Sequence, residues 1–191
     1  VLLEALQRLQ ESPGALPHGL QVLHIVGPGN IDHSLSGLST EGIRYRAFGF
    51  VRRMGDVYAA ADFVLGRAGG STLAELLALG IPSVLVPYPH ATGRHQHANA
   101  AVAREAGAAL VIDQDNLSAS RLSETIAGLA AQPARRRLMA RACRRLGRPY
   151  AAYEVAARLG RLAGVNLPIG DAVRRMSRYV NSSQFELSSV A

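Results

Sequence analysis

Short apolar runs and helical repeats alternate along the first two thirds of this chain. VLLEALQRLQ spaces its apolar residues as one face of a helix, and LQVLHIVG is an apolar strand running into the turn Gly27-Pro28-Gly29. Residues 31 to 42 read as a polar loop, IRYRAF as a short strand, and Arg52 to Ala60 as a short helix. FVLGR is short and apolar, as a buried parallel strand requires, and STLAELLALG carries a helical apolar repeat. Gly80 stops that helix and Pro82 prevents its resumption. SVLVP is a further strand, Gln96 to Ala106 a helix ended by Gly107, and AALVID another strand. Ser118 N-caps a helix through Ala131, and Pro133 opens the next one at its first turn.

A strand, about ten residues of helix and a second strand make a βαβ unit, whose right-handed crossover forces the strands parallel. The alternation runs to Asp113, after which helices dominate. The expected fold is therefore α/β with a Rossmann-like parallel sheet, half of a doubly wound protein, spanning residues 1 to 164. From there the periodicity fades, apart from a short helix around Ala172 to Val180. Residues 165 to 191 read as a tail, or as a segment that packs on something else. Ligands of such sheets lie beyond the carboxyl ends of the strands.

Composition narrows this picture. At 191 residues and 48% apolar content the chain can bury one domain. Cys143 is the only cysteine, which excludes an intrachain disulfide and suits a reducing cytosol. No run of about twenty apolar residues and no signal-peptide pattern occurs. The net charge of +7 invites a nucleic-acid reading, yet all 21 basic residues are arginine, which points to genomic base composition. Seven of them, Arg135, Arg136, Arg137, Arg141, Arg144, Arg145 and Arg148, are concentrated where they could meet phosphates or anionic lipid, or form a solvated helical face. The first residue is Val1, in a helix already under way, which suggests a piece of a longer protein.

The chemistry gathers between Ala61 and Asn99. Arg67-Ala68-Gly69-Gly70-Ser71-Thr72 joins a strand end to a helix start, where backbone N–H groups and the positive helix end can hold a diphosphate. Glu75, one turn in, can accept both hydroxyls of a ribose, or can complete a capping box with Thr72. His90, Arg94, His95, Gln96, His97 and Asn99 follow a strand end and face the same crevice; Gln96 and Asn99 suit sugar hydroxyls because each amide both donates and accepts. The three histidines could instead bind a metal, but no carboxylate or cysteine joins them, and no metal is assigned. Phe50 and Val51 either cover a flat base or pack in the core. His24 and the Gly27 to Gly29 turn either join the cleft or simply turn the chain.

HIVGPG, YRAFGFVRRM, the run ADFVLGRAGGSTLAELLALGIPSVLVPYPHATGRHQHANA, EAGAALVIDQDNLSASRL and GRPYAA occur in this order between Val22 and Ala152. Together they resemble the carboxyl-terminal half of the glycosyltransferase family 28 enzymes that make lipid II from UDP-N-acetylglucosamine (UDP-GlcNAc). The resemblance implies the two-domain glycosyltransferase type B fold, with this half as the donor domain. It implies uracil contacts at Phe50 and Val51, the diphosphate turn at Gly70, Ser71 and Thr72, and the ribose carboxylate at Glu75. His95 and Gln96 fall on the pair that reads the GlcNAc hydroxyls, where glutamine matches the family's second position, and Arg67 fixes the loop. It further implies no cofactor, a lipid I acceptor held mainly by another half, and a cytoplasmic location on the inner face of the plasma membrane. The family's amino-terminal domain has no counterpart here, nor does the first strand of this half with its glycine-rich turn. An uncovered central edge follows, with marginal stability and a tendency to aggregate.

The activity so implied is transfer of GlcNAc, with inversion, to the C4 hydroxyl of a lipid-linked MurNAc-pentapeptide. It needs a base on the acceptor, expected from the other half, and charge stabilisation on departing UDP. The alternatives are another UDP-sugar-dependent lipid or natural-product glycosyltransferase, a UDP-GlcNAc 2-epimerase, and a non-catalytic nucleotide-sugar-binding module. Glu75 is nearly alone as a cleft carboxylate, which disfavours the epimerase.

Overall fold

The computed structural model describes residues 1–12, 14, 16, 19–30 and 42–165. The predicted polar loop before Gly42 and the predicted helix near Ala172 lie outside the described residues. Contacts divide the chain into two units, Val1–Gly147 and Arg148–Ala191.

In the first unit, α1 (Leu2–Gln10) precedes two parallel strands, β1 (Leu20–Ile25) and β2 (Ile43–Phe48), paired from Leu20 opposite Ile43 to Ile25 opposite Phe48. After α2 (Met54–Ala59), a three-stranded parallel sheet is built from β3 (Val64–Gly66), β4 (Ser83–Leu85) and β5 (Ala109–Val111), in that order across the sheet. Helices α3 (Gly70–Leu79) and α4 (His95–Glu105) make the crossovers, so each strand pair is the βαβ unit that the apolar pattern predicts. Helices α5 (Ala119–Ala131) and α6 (Pro133–Leu146) close the unit. Three helix starts differ from expectation: α2 begins at Met54, where Arg53 Nε pairs with Asp56 Oδ2 at 3.0 Å, α3 at Gly70 and α4 at His95.

Burial follows the pattern. β4 is central and covered on both faces, with Val84 and Leu85 wholly buried, as an unbroken apolar strand requires. One face packs on α1 and α5 through Ala5, Leu6, Leu9, Leu122, Ile126 and Leu129. The other packs on α3, α4 and α6 through Leu73, Ala100, Ala103, Ala142 and Cys143. Helix α3 ends where the sequence says it must. Gly80 takes φ 75°, and the Ile81 N–H returns to the Leu76 carbonyl at 2.9 Å, which satisfies a terminal carbonyl and brings Ile81 onto Leu76. Ser118 caps α5, its Oγ accepting the Arg121 N–H at 3.1 Å.

Between the edges of β1 and β3 lies a cleft of about 1190 Å³, lined by Leu20, Val22, Leu23, Phe63, Leu65 and Leu122 among others. The two sheets are separate on either side of it, so the edges facing it belong to β1 and β3. Leu23 and Ile25 of β1 are 44% and 38% exposed, high for strand positions in a parallel sheet.

Cys143 is sealed in the second cluster, its thiol donating to the Ile81 carbonyl at 3.3 Å and the Ala108 carbonyl at 3.5 Å. Burial pushes its pKa up to about 11. A thiolate-directed reagent is expected to leave the native chain unlabelled at pH 8 and to label one thiol on denaturation. Rapid labelling of folded protein would contradict this packing. The second unit contains α7 (Ala151–Leu162), on which Val155, Leu159 and Leu162 are exposed.

Candidate functional site

The carboxyl ends of β3, β4 and β5 bring three loops together. The first leaves β3 as Arg67-Ala68-Gly69 and enters α3 at Gly70. Gly69 is the extended N-cap, and no side chain caps this end. The first-turn N–H groups of Gly70, Ser71 and Thr72 therefore have no intrahelical acceptor, and Gly70 and Ser71 are exposed. Positive helix end and open amides together form a seat for an anion. The capping-box alternative fails here: the cap is Gly69 rather than Thr72, so Glu75 is not its partner.

Glu75 is instead held from outside the helix. The Tyr58 hydroxyl donates to its Oε2 at 2.9 Å. Tyr58 is itself buried, and burial first, then the hydrogen bond to Glu75 and its charge, push the phenol pKa up to about 12. The phenol thus stays a donor at any ordinary pH. The carboxylate is exposed midway along α3 with one oxygen anchored, an arrangement suited to accepting hydroxyl groups.

Arg67 ties the three loops. Its Nη1 donates to Gln114 Oε1 at 2.7 Å, after β5, and to the Val86 carbonyl at 3.2 Å, after β4. Its guanidinium also stands 5.6 Å from the Tyr88 ring centroid. Through Nη1, Arg67 thus shapes the site. Asn99 has a similar part: its Nδ2 donates to the Ala68 carbonyl at 3.0 Å, holding the loop that precedes Gly70. One N–H is used in this way, and the second N–H and Oδ1 of the amide are left to meet hydroxyl groups.

Gln96 accepts the Tyr88 N–H at 2.9 Å through Oε1, which leaves its amide N–H groups to face outward as donors. His95 Nδ1 lies 2.6 Å from the Thr92 carbonyl, so Nδ1 carries the proton and Nε2 is the acceptor. These two residues open α4 behind Arg94, whose φ of 53° is the one positive value among described non-glycine residues. His90 packs edge-on to Tyr88 with centroids 5.6 Å apart. His97 turns the other way, into a hollow of about 440 Å³ that it shares with Arg94, Arg104, Asp113 and Asn116, and its Nδ1 is buried without a hydrogen bond. Among the described residues no three His, Cys, Asp or Glu side chains are grouped to hold a metal.

Phe50 and Val51 follow β2, at the carboxyl end of the other sheet. Core packing is excluded for Phe50, which is 70% exposed, while Val51 is half-buried. His24 belongs to β1; its Nδ1 meets the Tyr45 hydroxyl at 2.7 Å, and burial lowers its pKa. Sequence reasoning missed Tyr58, Tyr88 and Gln114 as site-shaping residues, since Tyr58 meets Glu75, and Tyr88 and Gln114 meet Arg67, only across the packed fold.

Residues 1–154 match the glycosyltransferase family 28 C-terminal domain. A Hahella chejuensis protein named UDP-N-acetylglucosamine--N-acetylmuramyl-(pentapeptide) pyrophosphoryl-undecaprenol N-acetylglucosamine transferase is 43% identical over 143 residues, 74% of this chain and 40% of that protein. Its Myxococcus xanthus namesake is 37% identical over 153 residues, 78% of this chain and 40% of the relative. The crystal structure of Acinetobacter baumannii MurG superposes with a TM-score of 0.69 at 26% identity, over 81% of this chain and 43% of that one. The glycosyltransferase VinC, at 20% identity and a TM-score of 0.55 over 82% of this chain and 44% of its own, shares the fold. The chain thus spans about 40% of the length of the two bacterial relatives.

Proposed function

Because the chain belongs to the family of glycosyltransferase family 28 C-terminal domains, we propose that it binds the nucleotide-sugar donor UDP-GlcNAc for transfer to a lipid-linked acceptor. The uncapped N-terminus of α3, with Glu75 anchored by Tyr58 one turn further on, carries this reading. The amides of Gly70, Ser71 and Thr72 take the diphosphate and stabilise the charge that develops as the sugar leaves. Glu75 accepts the ribose hydroxyls. Gln96 and His95 reach the sugar from the α4 end, Gln96 as donor and His95 through Nε2. Phe50 and Val51 face the uracil, an exposed aromatic being suited to a flat ring. In the whole enzyme the acceptor is lipid I, the product is lipid II for peptidoglycan, and the protein works at the inner face of the plasma membrane. The acceptor hydroxyl then loses its proton to a base in a further part of the polypeptide, and inversion follows from a single displacement.

Calorimetric titration with UDP-GlcNAc tests this, with UDP-glucose as the competitor. The expected result is saturable binding that prefers the N-acetyl sugar. A folded chain that takes up neither nucleotide sugar would sink the proposal, and equal affinity for both would move it to a different sugar donor.

A further inference from the structure

The excess charge of this chain comes from one stretch. Between Glu124 and Glu154 there are seven arginines and no acidic residue. The other 14 arginines (21 less 7) balance the chain's 14 carboxylates, so the net +7 equals the charge of this stretch. Six of the seven lie on α6.

Helix α6 buries Met139, Ala142 and Cys143 against the core. Arg136 turns inward with them, donating to the Leu129 and Ala130 carbonyls and lying 3.8 Å from Asp62. Arg144 reaches toward the end of α3, where a Cβ on Gly80 would meet its Nη1 at 2.4 Å. The remaining Arg135, Arg137, Arg141 and Arg145 are exposed, and among the described residues none is in an ion pair. Arg137, Arg141 and Arg145 follow one another at four-residue intervals, on a single stripe opposite the buried side. Like charges at that spacing weaken a helix. The stripe thus works against the stability of the element that carries it.

We propose that this face of α6 docks on the anionic headgroups of a lipid bilayer. With its apolar side packed in the core, α6 turns outward a face of arginine, with Leu138, 65% exposed, beside it, and meets a membrane by charge. It carries no aromatic, asparagine or glutamine side chain with which to stack on or read nucleotide bases, so lipid is favoured over nucleic acid. Guanidinium groups at the headgroup level each add attraction that fades within a Debye length and weakens with salt. The proposal rests on the membrane location proposed above, to which it adds the docking face, and uses none of the donor-site residues.

The test is co-sedimentation of the full chain with vesicles, in the absence of nucleotide. Equimolar phosphatidylglycerol and phosphatidylcholine is compared with phosphatidylcholine alone, at 50 and 500 mM NaCl. The expected result is binding to the anionic vesicles only, reduced at least tenfold by the higher salt and by Arg137→Glu, Arg141→Glu and Arg145→Glu combined. Because these side chains are exposed, the variant should keep the wild-type circular dichroism spectrum. Undiminished binding of the folded variant would overturn the proposal, as would failure of wild type to sediment with anionic vesicles. Tighter binding to a single-stranded RNA 20-mer than to the vesicles would overturn it too, by assigning the face to nucleic acid.

Discussion

Glu75→Ala is expected to weaken UDP-GlcNAc binding by about tenfold to a hundredfold, the equivalent of one charge-assisted hydrogen bond. The carboxylate is exposed on α3, so little packing is lost, while the buried Tyr58 hydroxyl loses its acceptor at a cost of about 1–3 kcal/mol in stability. Tyr58 separates two explanations. Its hydroxyl donates to Glu75 Oε2 at 2.9 Å and so orients the carboxylate without itself being a ligand. Tyr58→Phe should therefore cost affinity less than Glu75→Ala does. Glu75→Gln, which keeps an acceptor for the phenol but loses the charge, should fall between them. Calorimetry on the three variants, each checked by thermal melting, reads this directly. Wild-type affinity in a folded Glu75→Ala chain would remove Glu75 from the site.

Gly147→Ala should be among the most destabilising single-methyl changes in the chain. Gly147 ends α6 with an ordinary backbone conformation, φ −61°, so strain is not the reason for glycine there. The reason is space. A Cβ would lie 2.5 Å from the Leu77 carbonyl oxygen, 2.8 Å from its carbon and 2.9 Å from Ala78 Cα, all backbone atoms near the end of α3. Backbone held in a helix cannot rotate aside, so α3 and α6 must separate, at a cost of about 3 kcal/mol. For a chain of this size that is a fall of about 6–12 °C in melting temperature. Gly80→Ala is the useful contrast. Its φ of 75° is left-handed, but its nearest neighbour is the flexible Arg144 side chain, and about 1–2 kcal/mol is expected. Equal melting temperatures for wild type and Gly147→Ala would show that the two helices are not in this close contact.

How much of this was legible in the sequence depended on how far apart the partners lie. The five strands and the helices between them were readable because each is a local pattern: apolar runs, a 3.6-residue repeat, a glycine stop at Gly80 and a serine cap at Ser118. The glycine turn that opens α3 at Gly70 was readable for the same reason. The role of Asn99 was not. That its Nδ2 meets the Ala68 carbonyl, 31 residues away in sequence, is settled by how α4 packs beside α3. The same holds for Glu75, whose Thr72 spacing suggested a capping box, while the helix in fact begins at Gly70 and Tyr58 takes the carboxylate.

The sequence by itself determined the α/β class, the order of elements and the segment in which the chemistry is gathered. Hydrophobic periodicity, glycine geometry and helix-end amides are properties of a few neighbouring residues, and they act before any tertiary contact forms. Only the tertiary structure decided that Arg67 ties β3 through Nη1 to the loops after β4 and β5, and that Phe50 lies 70% exposed. It also decided that Arg136 turns inward while Arg137, Arg141 and Arg145 stay outside. Those outcomes depend on which polar group first finds a partner across the packed helices and sheets. A one-dimensional pattern does not contain that distance.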